Sequence, residues 1–424
     1  MKWWFRQSLT TRIFIGMAAG MIVGLVYPPI ANLKFVGDIF IRFIQVAIVP
    51  IVFSILVVSM SNIDLRSFGR LGVKVLIFYT LTTVVATIVG VVLANIMQPG
   101  AGLDASVLTK LTAPKPTTPP PLAEIFLNMV PLNIVDAAAK GNMIQIVLFA
   151  IFFGLIMGAV GKKAEPVRAV LEGVYQIMVK MVWAIMEMAP YGVFTLMAWL
   201  TAVTGFKALL PLAKYILATI IGVTFQTFIV VSIFVALIAR VNPWHFYKRS
   251  LDYMMVAFTT RSSAASLPIA LQVAEQKLGI DPRIAGFSLP LGSVMNQDGS
   301  AIWWPIAAMF IAQLYGIPIT LEQQLYLVVL VNLIGLGSTG IPSGGIILLA
   351  MILTGMGWPV EGIALVIGVD VIPDMFRTTL NVVDDLSGAL MVAATEKDML
   401  RRDVLSGERE LGPNEITFTG VEKG

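Results

Sequence analysis

The chain has no cysteine and a single histidine among its 424 residues. Without cysteine there is no disulfide framework and no thiolate metal site, and nothing fixes a redox compartment. His245 alone cannot build a soft transition-metal centre; it follows Pro243 and Trp244 and reads as an interfacial residue. Charge is scarce too: Asp, Glu, Lys and Arg supply 13% of residues against 57% hydrophobic, and the mean hydropathy is +0.87. A soluble domain cannot cover its surface so sparsely, so the chain reads as a polytopic membrane protein in a lipid bilayer. Its net charge of +4 does not point to nucleic acid. The Lys and Arg residues lie in short loops between apolar runs, which is the positive-inside pattern. No nucleophile and base fall in register, so enzymatic activity is not expected.

A basic, aromatic start precedes an apolar run from Ile13 to Tyr27, which we take as an uncleaved first span rather than a signal peptide. Phe35 to Met60 reads as the second span and Val75 to Met97 as the third; Arg66, Arg70 and Lys74 between them place that connection in the cytoplasm. Leu111 to Pro121, ending in three prolines, is an extended outer loop. Leu122 to Val160 is interrupted near Asp136 to Asn142 and reads as broken helices. The fifth span carries a kink at Ala189 to Gly192, and the sixth runs from Leu209 to Ala239.

From there the pattern changes. Val256 to Ala274 is split by Thr259 to Ser263, with cations at both ends, as in a re-entrant hairpin entering from the cytoplasm. Ile284 to Leu314 is a seventh span broken at Asn296 to Ser300. Leu325 to Met356 is split by the run Gly335 to Gly345 and reads as a second re-entrant hairpin, from the outer side. Ser262 to Gln297 and Thr339 to Asp374 are about equally far apart, a weak inverted repeat of the kind found in secondary transporters.

The last span, Gly362 to Leu390, carries Asp370, Asp374, Arg377, Asn381, Asp384 and Asp385. At 3.6 residues per turn they fall within roughly 100 degrees of one helix face. Each charge costs about 3 kcal/mol at a bilayer centre, so the stripe must face protein, water or ions. Asp374 and Arg377, one turn apart, are placed to grip the ammonium and carboxylate of a zwitterion. Asp298, Asn296 and Asp385 are hard oxygen ligands suited to Na+. These features point to a cation-coupled carrier of a small amino acid and leave a charge-lined channel open.

Four ordered motifs resemble the glutamate transporter family of dicarboxylate/amino acid:cation symporters: TRSSAASLP from Thr260, NQDGS from Asn296, GSTGIPSGG from Gly337 and DMFRTTLNVVDD from Asp374. The resemblance implies an all-α polytopic fold of eight transmembrane helices plus two re-entrant helical hairpins with inverted repeats, assembled as a homotrimer. It implies L-aspartate or L-glutamate as substrate, bound by Arg261, Ser262, Ser263, Asp374, Arg377, Thr378, Asn381 and Gly340 of the second tip. It implies Na+ as the co-transported ion: one site from Asp385, Asn296 and Asn381, a second from Tyr79, Thr82, Thr83 and Asp298, and a third near Leu336 and Ser338. Gln297, where the family usually has methionine, falls between the cation sites, where its amide would either donate a further oxygen ligand or disturb ion coupling. Asp370 is expected to orient its neighbours.

The resemblance also divides the chain. Residues 1–70 and 99–205 become a fixed scaffold with the outer loop. Residues 71–98 and 206–396 become a transport domain moving as an elevator, and 397–424 a cytoplasmic tail. Both termini are expected on the cytoplasmic side of the inner (plasma) membrane. Besides Gln297, four residues depart from the family pattern: Ala264 replaces a serine in the first tip, Ser343 replaces a glycine in the second, Pro373 is expected to add a local break before Asp374, and Asp384, in place of the usual glycine, is expected to face water at the inner end. The rival readings are the same carrier driven by protons, a neutral amino acid or C4-dicarboxylate carrier of the same family, and a substrate-gated anion channel.

Overall fold

A computed structural model describes residues 4, 7, 9–61, 65–101, 130–140, 142–205, 209–335 and 344–406. These residues are almost entirely helical; the sole β pairing among them is an isolated bridge between Ile280 and Leu400. The chain begins with α1 (Leu9–Val26), α2 (Lys34–Ser61) and α3 (Leu65–Met97). The interrupted fourth region is α4 (Ile134–Lys140) followed by α5 (Met143–Val160). The outer loop expected at 111–121 lies outside the described residues.

The kink expected at Ala189 to Gly192 is a full break. Helix α6 (Glu165–Glu187) stops, and α7 (Ala189–Thr204) starts with Pro190 in its first turn. Proline lacks the N–H that would continue the ladder but is well suited to a helix start. Helix α8 (Leu209–Phe225) continues through π turns at Gln226–Val230 and Val235–Ala239. The helical runs at Arg70–Met97, Gln145–Met178 and Leu210–Ala239 are each long and apolar enough to cross a membrane by length and composition. The apolar helical runs at Ala189–Val203, Leu321–Gly335 and Gly345–Met356 are shorter.

The first split segment is a helical hairpin of α9 (Pro243–Thr260) and α10 (Ser263–Gln272). Its turn is shorter than Thr259 to Ser263: only Arg261 and Ser262 leave the helices, with Arg261 in the left-handed conformation at φ 53°. The hairpin's base is closed by Arg249 donating to the Lys277 carbonyl at 2.8 Å and by a Lys277–Asp252 ion pair. Next come α11 (Pro282–Met295) and α12 (Asp298–Leu314), separated by Asn296 and Gln297 alone. Helices α13 (Leu321–Gly335) and α14 (Gly344–Met356) pack together as the two arms of the second split segment.

The last span is α15 (Ile363–Val369) and α16 (Val371–Ala394), and a short α17 (Arg402–Ser406) follows. The break falls at Asp370 rather than beside Asp374. Pro373 has no N–H to donate, so the carbonyl four residues earlier, at Val369, loses its partner, and the helix parts there.

Helices α1, α2, α5, α6 and α7 pack on one another, and α3 packs with α8, α11, α12, α13 and α16. Helix α1 lies directly on α7 because Gly16, Gly20 and Gly24 form a stripe at helical spacing. A Cβ at Gly20 would sit 2.3 Å from the Phe194 carbonyl oxygen, a distance no side chain tolerates. Helices α14 and α15 touch both groups.

Where α3 starts and α16 ends, Glu396 lies 2.6 Å from Lys74 and 3.2 Å from Arg70. The Lys74 hydrogen bond holds the Glu396 carboxyl below the usual glutamate range. A depressed folded value means the stabilisation is present above the ordinary glutamate pKa and disappears as pH falls through the folded one. Glu396→Gln should therefore lower stability by at most about 1 kcal/mol at pH 7, because Arg70 is exposed and the pair is screened. The difference in thermal midpoint should vanish in acid.

Candidate functional site

Helix α16 reaches its neighbours on every side: α9, α11, α12 and α3 all pack against it. Its polar stripe is consequently buried from Asp370 to Asp385. The stripe divides into two halves of different electrostatic character.

In the first half, every charge has a partner. Arg377 Nη1 lies 2.9 Å from Asp370 Oδ1, and its Nη2 and Nε donate to Asp374 Oδ1 at 2.9 and 3.1 Å. The guanidinium carbon also lies over the Trp303 ring, 3.8 Å from its centroid, a cation–π contact that strengthens when desolvated. The Trp303 indole N–H donates to the Tyr215 hydroxyl, which locks the ring. Arg261, in the turn of the first hairpin, approaches Asp374 Oδ2 at 3.7 Å. That oxygen has no hydrogen-bond donor. Ser262 and Ser263 are buried beside Arg261, and Thr378 is buried next to Arg377.

The break between α11 and α12 is stitched to α16 by amides. Gly299 N–H donates to Asn381 Oδ1 at 2.8 Å, and Asn381 Nδ2 donates to Gln297 Oε1 at 2.8 Å. Gln297 Nε2 in turn donates to the Ser293 carbonyl at 3.2 Å. This contact requires glycine at 299: a Cβ there would stand 2.1 Å from the Arg377 carbonyl oxygen.

The second half is rich in oxygen and, among the described residues, forms no ion pair with a cationic side chain. Asp298 Oδ1 accepts from Thr83 Oγ1 at 2.5 Å, and Thr82 lies beside the same carboxylate. Asn296 Nδ2 donates to Asp385 Oδ1 at 3.2 Å. Tyr79 donates to the Ser288 carbonyl at 3.0 Å. A cavity of about 150 Å³ touches Tyr79, Thr83 and Gln297 and extends to Asn332 of α13. Among the described residues no three His, Cys, Asp or Glu side chains converge on one point, as they would around a transition metal.

The structure thus brings Arg261, Asp370, Asp374 and Arg377 into one ion-paired group, and Asn296, Gln297 and Asn381 into one amide bridge. Tyr79, Thr82, Thr83, Asp298 and Asp385 lie together beside that bridge. Leu336, Ser338 and Gly340 lie outside the described residues. The expectation that Asp384 faces water is overturned: it is 1% exposed, because α16 is covered on all sides to its end. Sequence reasoning also missed Trp303. Its signal was available, since residue 303 lies one helical turn after Gly299 and hence on the face that abuts Arg377.

The sequence pattern of the sodium:dicarboxylate symporter family matches residues 9–395. The chain belongs to that family. The chain is 35% identical over 400 residues to a proton/sodium-glutamate symport protein of Geobacillus stearothermophilus, covering 92% of this chain and 94% of that one. It is 36% identical over 423 residues to a proton/glutamate-aspartate symporter of Escherichia coli (strain K12), covering 95% and 96%. A C4-dicarboxylate transport protein of Bacillus subtilis (strain 168) is 31% identical over 399 residues, covering 92% and 94%. The chain is therefore a multi-pass membrane protein of a transporter family, not an enzyme family. Relatives named for acidic amino acids and for dicarboxylates both align along nearly its whole length.

Proposed function

We propose that the chain is a Na+-coupled symporter of aspartate or glutamate that works by elevator-type alternating access. The observation that carries this reading is the division of the buried stripe. One half holds two arginines and two aspartates, the other buried carboxylates with no cationic side chain. An acidic amino acid is the complement of the first half. Its side-chain carboxylate takes Arg377 through a bidentate pair, and its ammonium takes Asp374, whose Oδ2 has no donor. Thr378, Asn381, Ser262 and Ser263 surround the α-carboxylate, with Gly340 closing from the second tip.

Na+ is the complement of the second half. Asp385 with Asn296 and Asn381 forms one site, and Asp298 with Tyr79, Thr82 and Thr83 another. Leu336 and Ser338 serve a third. Hydroxyl, amide and carboxylate oxygens are hard donors that suit an alkali cation. In this reading Gln297 holds Asn381 between the two groups, so that filling one orders the other. Each net positive charge carried inward gains about 2.3 kcal/mol per 100 mV, which drives uptake of an anionic substrate against its gradient.

The packing supports the elevator reading: α1, α2, α5, α6 and α7 act as the scaffold of a homotrimer, while α3 and α8 to α16 carry the site. Both hairpins are re-entrant in this reading, and the termini are cytoplasmic.

The substrate class is tested by competition. Succinate has both carboxylates of aspartate but no ammonium, so it should bind roughly 10- to 100-fold more weakly, the worth of a charged hydrogen bond at about 1.5–3 kcal/mol. Equal affinities would move the chain to the C4-dicarboxylate class.

A further inference from the structure

Asp384 is an aspartate inside a membrane protein with nothing to neutralise it. It is 1% exposed, and neither of its oxygens meets a hydrogen-bond donor. Its carboxyl group comes within hydrogen-bonding reach of the carboxyl of Asp298 on α12. Asp298 is itself fully buried, and only its Oδ1 is satisfied, by Thr83; its Oδ2 is bare. Among the described residues no Lys, Arg or His forms an ion pair with either aspartate, whereas Asp370 and Asp374 both have one. Two dehydrated carboxylates that face each other repel, and that cost is offset either by a proton shared between them or by a cation held between them.

The surrounding donors select the kind of charge. The hydroxyls of Thr82 and Thr83 lie on the Asp298 side, and among the described residues no histidine or thiolate joins the carboxylates in a metal cluster. Two carboxylates and hydroxyl oxygens form a hard-donor set too small for a caged divalent ion, which takes six or more oxygens.

We propose that Asp384 is a cation-binding residue of this chain: with Asp298 it holds one Na+ between α12 and α16, a ligand that a carrier with glycine at this position lacks. The inference rests on the Na+-coupled reading above and deepens it. The added carboxylate tightens Na+ at the Asp298 site and makes the emptied site harder to carry back across the membrane.

The test is equilibrium binding of radioactive Na+ to the purified full chain without amino acid, at one fixed pH, for wild type, Asp384→Asn and Asp384→Gly. Both variants should weaken Na+ binding at the Asp298 site at least tenfold. Asp384→Asn should also be as stable as wild type, or more so, in Na+-free buffer, yet gain less thermal stability on adding Na+. A merely structural aspartate would show the opposite pattern, with lower stability without Na+ and an unchanged gain with it; that result overturns the proposal, as do superimposable Na+ binding curves. The glycine variant restores the residue of the family signature and covers the case in which the asparagine variant does not fold. A wild-type protein that binds no Na+ removes the sodium reading itself, and this inference with it. Wild-type binding that is unchanged in the variants removes this inference alone.

Discussion

Replacing Arg377 with alanine should abolish uptake of acidic amino acids. The guanidinium holds Asp370 and Asp374 at 2.9 Å each and lies on Trp303, so on the proposed reading its loss removes the substrate's carboxylate partner. It also leaves two buried aspartates facing only the more distant Arg261. Breaking a buried pair in this way costs about 3–5 kcal/mol. Truncating one partner of a buried charge pair at a binding contact costs about 2–5 kcal/mol of affinity, so aspartate affinity should fall by roughly 30- to 5,000-fold, while Na+ should still bind at the separate oxygen-rich half. Lysine does not rescue, because a point charge cannot match two carboxylates in one plane. Direct titration of purified protein with aspartate and with Na+ checks both halves of this result; wild-type aspartate affinity would remove Arg377 from its assigned role.

Adding a single methyl group at Gly299 should have an effect of the same order through geometry alone. The new Cβ would meet the carbonyl oxygen of Arg377 at 2.1 Å and its Cα at 2.6 Å. Both are backbone atoms, so no rotamer change relieves the clash, and α12 must move away from α16. That movement pulls the Gly299 N–H from Asn381 and with it the amide chain through Gln297. It also shifts Trp303 off the guanidinium. Overpacking of this kind typically costs about 1–3 kcal/mol in stability, but its consequence for function is larger, because substrate and cation groups lose their common spacer. Gly299→Ala should fold with a lowered thermal midpoint and show neither aspartate binding nor Na+-dependent uptake. Normal uptake would mean that the contact between α12 and α16 is not part of the working site.

Much of this arrangement was legible in the residue order. The interruptions at Arg261, at Asn296 and Gln297, and near Asp374 fall where polar residues cut apolar runs, because a helix inside a membrane is broken only where its freed backbone groups can be satisfied. The stripe on the last helix was visible because helical period depends only on spacing. What was not legible depends on contacts between distant segments. The break at Asp370 is the effect of Pro373 projected one turn back. The break at Met188 turns what reads as one kinked span into α6 and α7. Asp384 looked like a water-facing charge because it lies near the end of an apolar run; only the packing of α3, α9, α11 and α12 around α16 buries it. Trp303 reads as one more apolar residue until Arg377 is set against its ring. Charge composition showed an excess of carboxylates but not its location. That excess lies at Asp298, Asp384 and Asp385, not beside the arginines, and this placement is what supports the proposal of separate substrate and cation halves.

Accumulation of radiolabelled aspartate in liposomes containing the purified protein tests the coupling directly. An inward Na+ gradient at equal pH should drive uptake above equilibrium, and an inward proton gradient in Na+-free buffer should drive none. Accumulation under the proton gradient alone, with no added effect of Na+, would contradict the account and assign the bare carboxylates of α12 and α16 to protons instead.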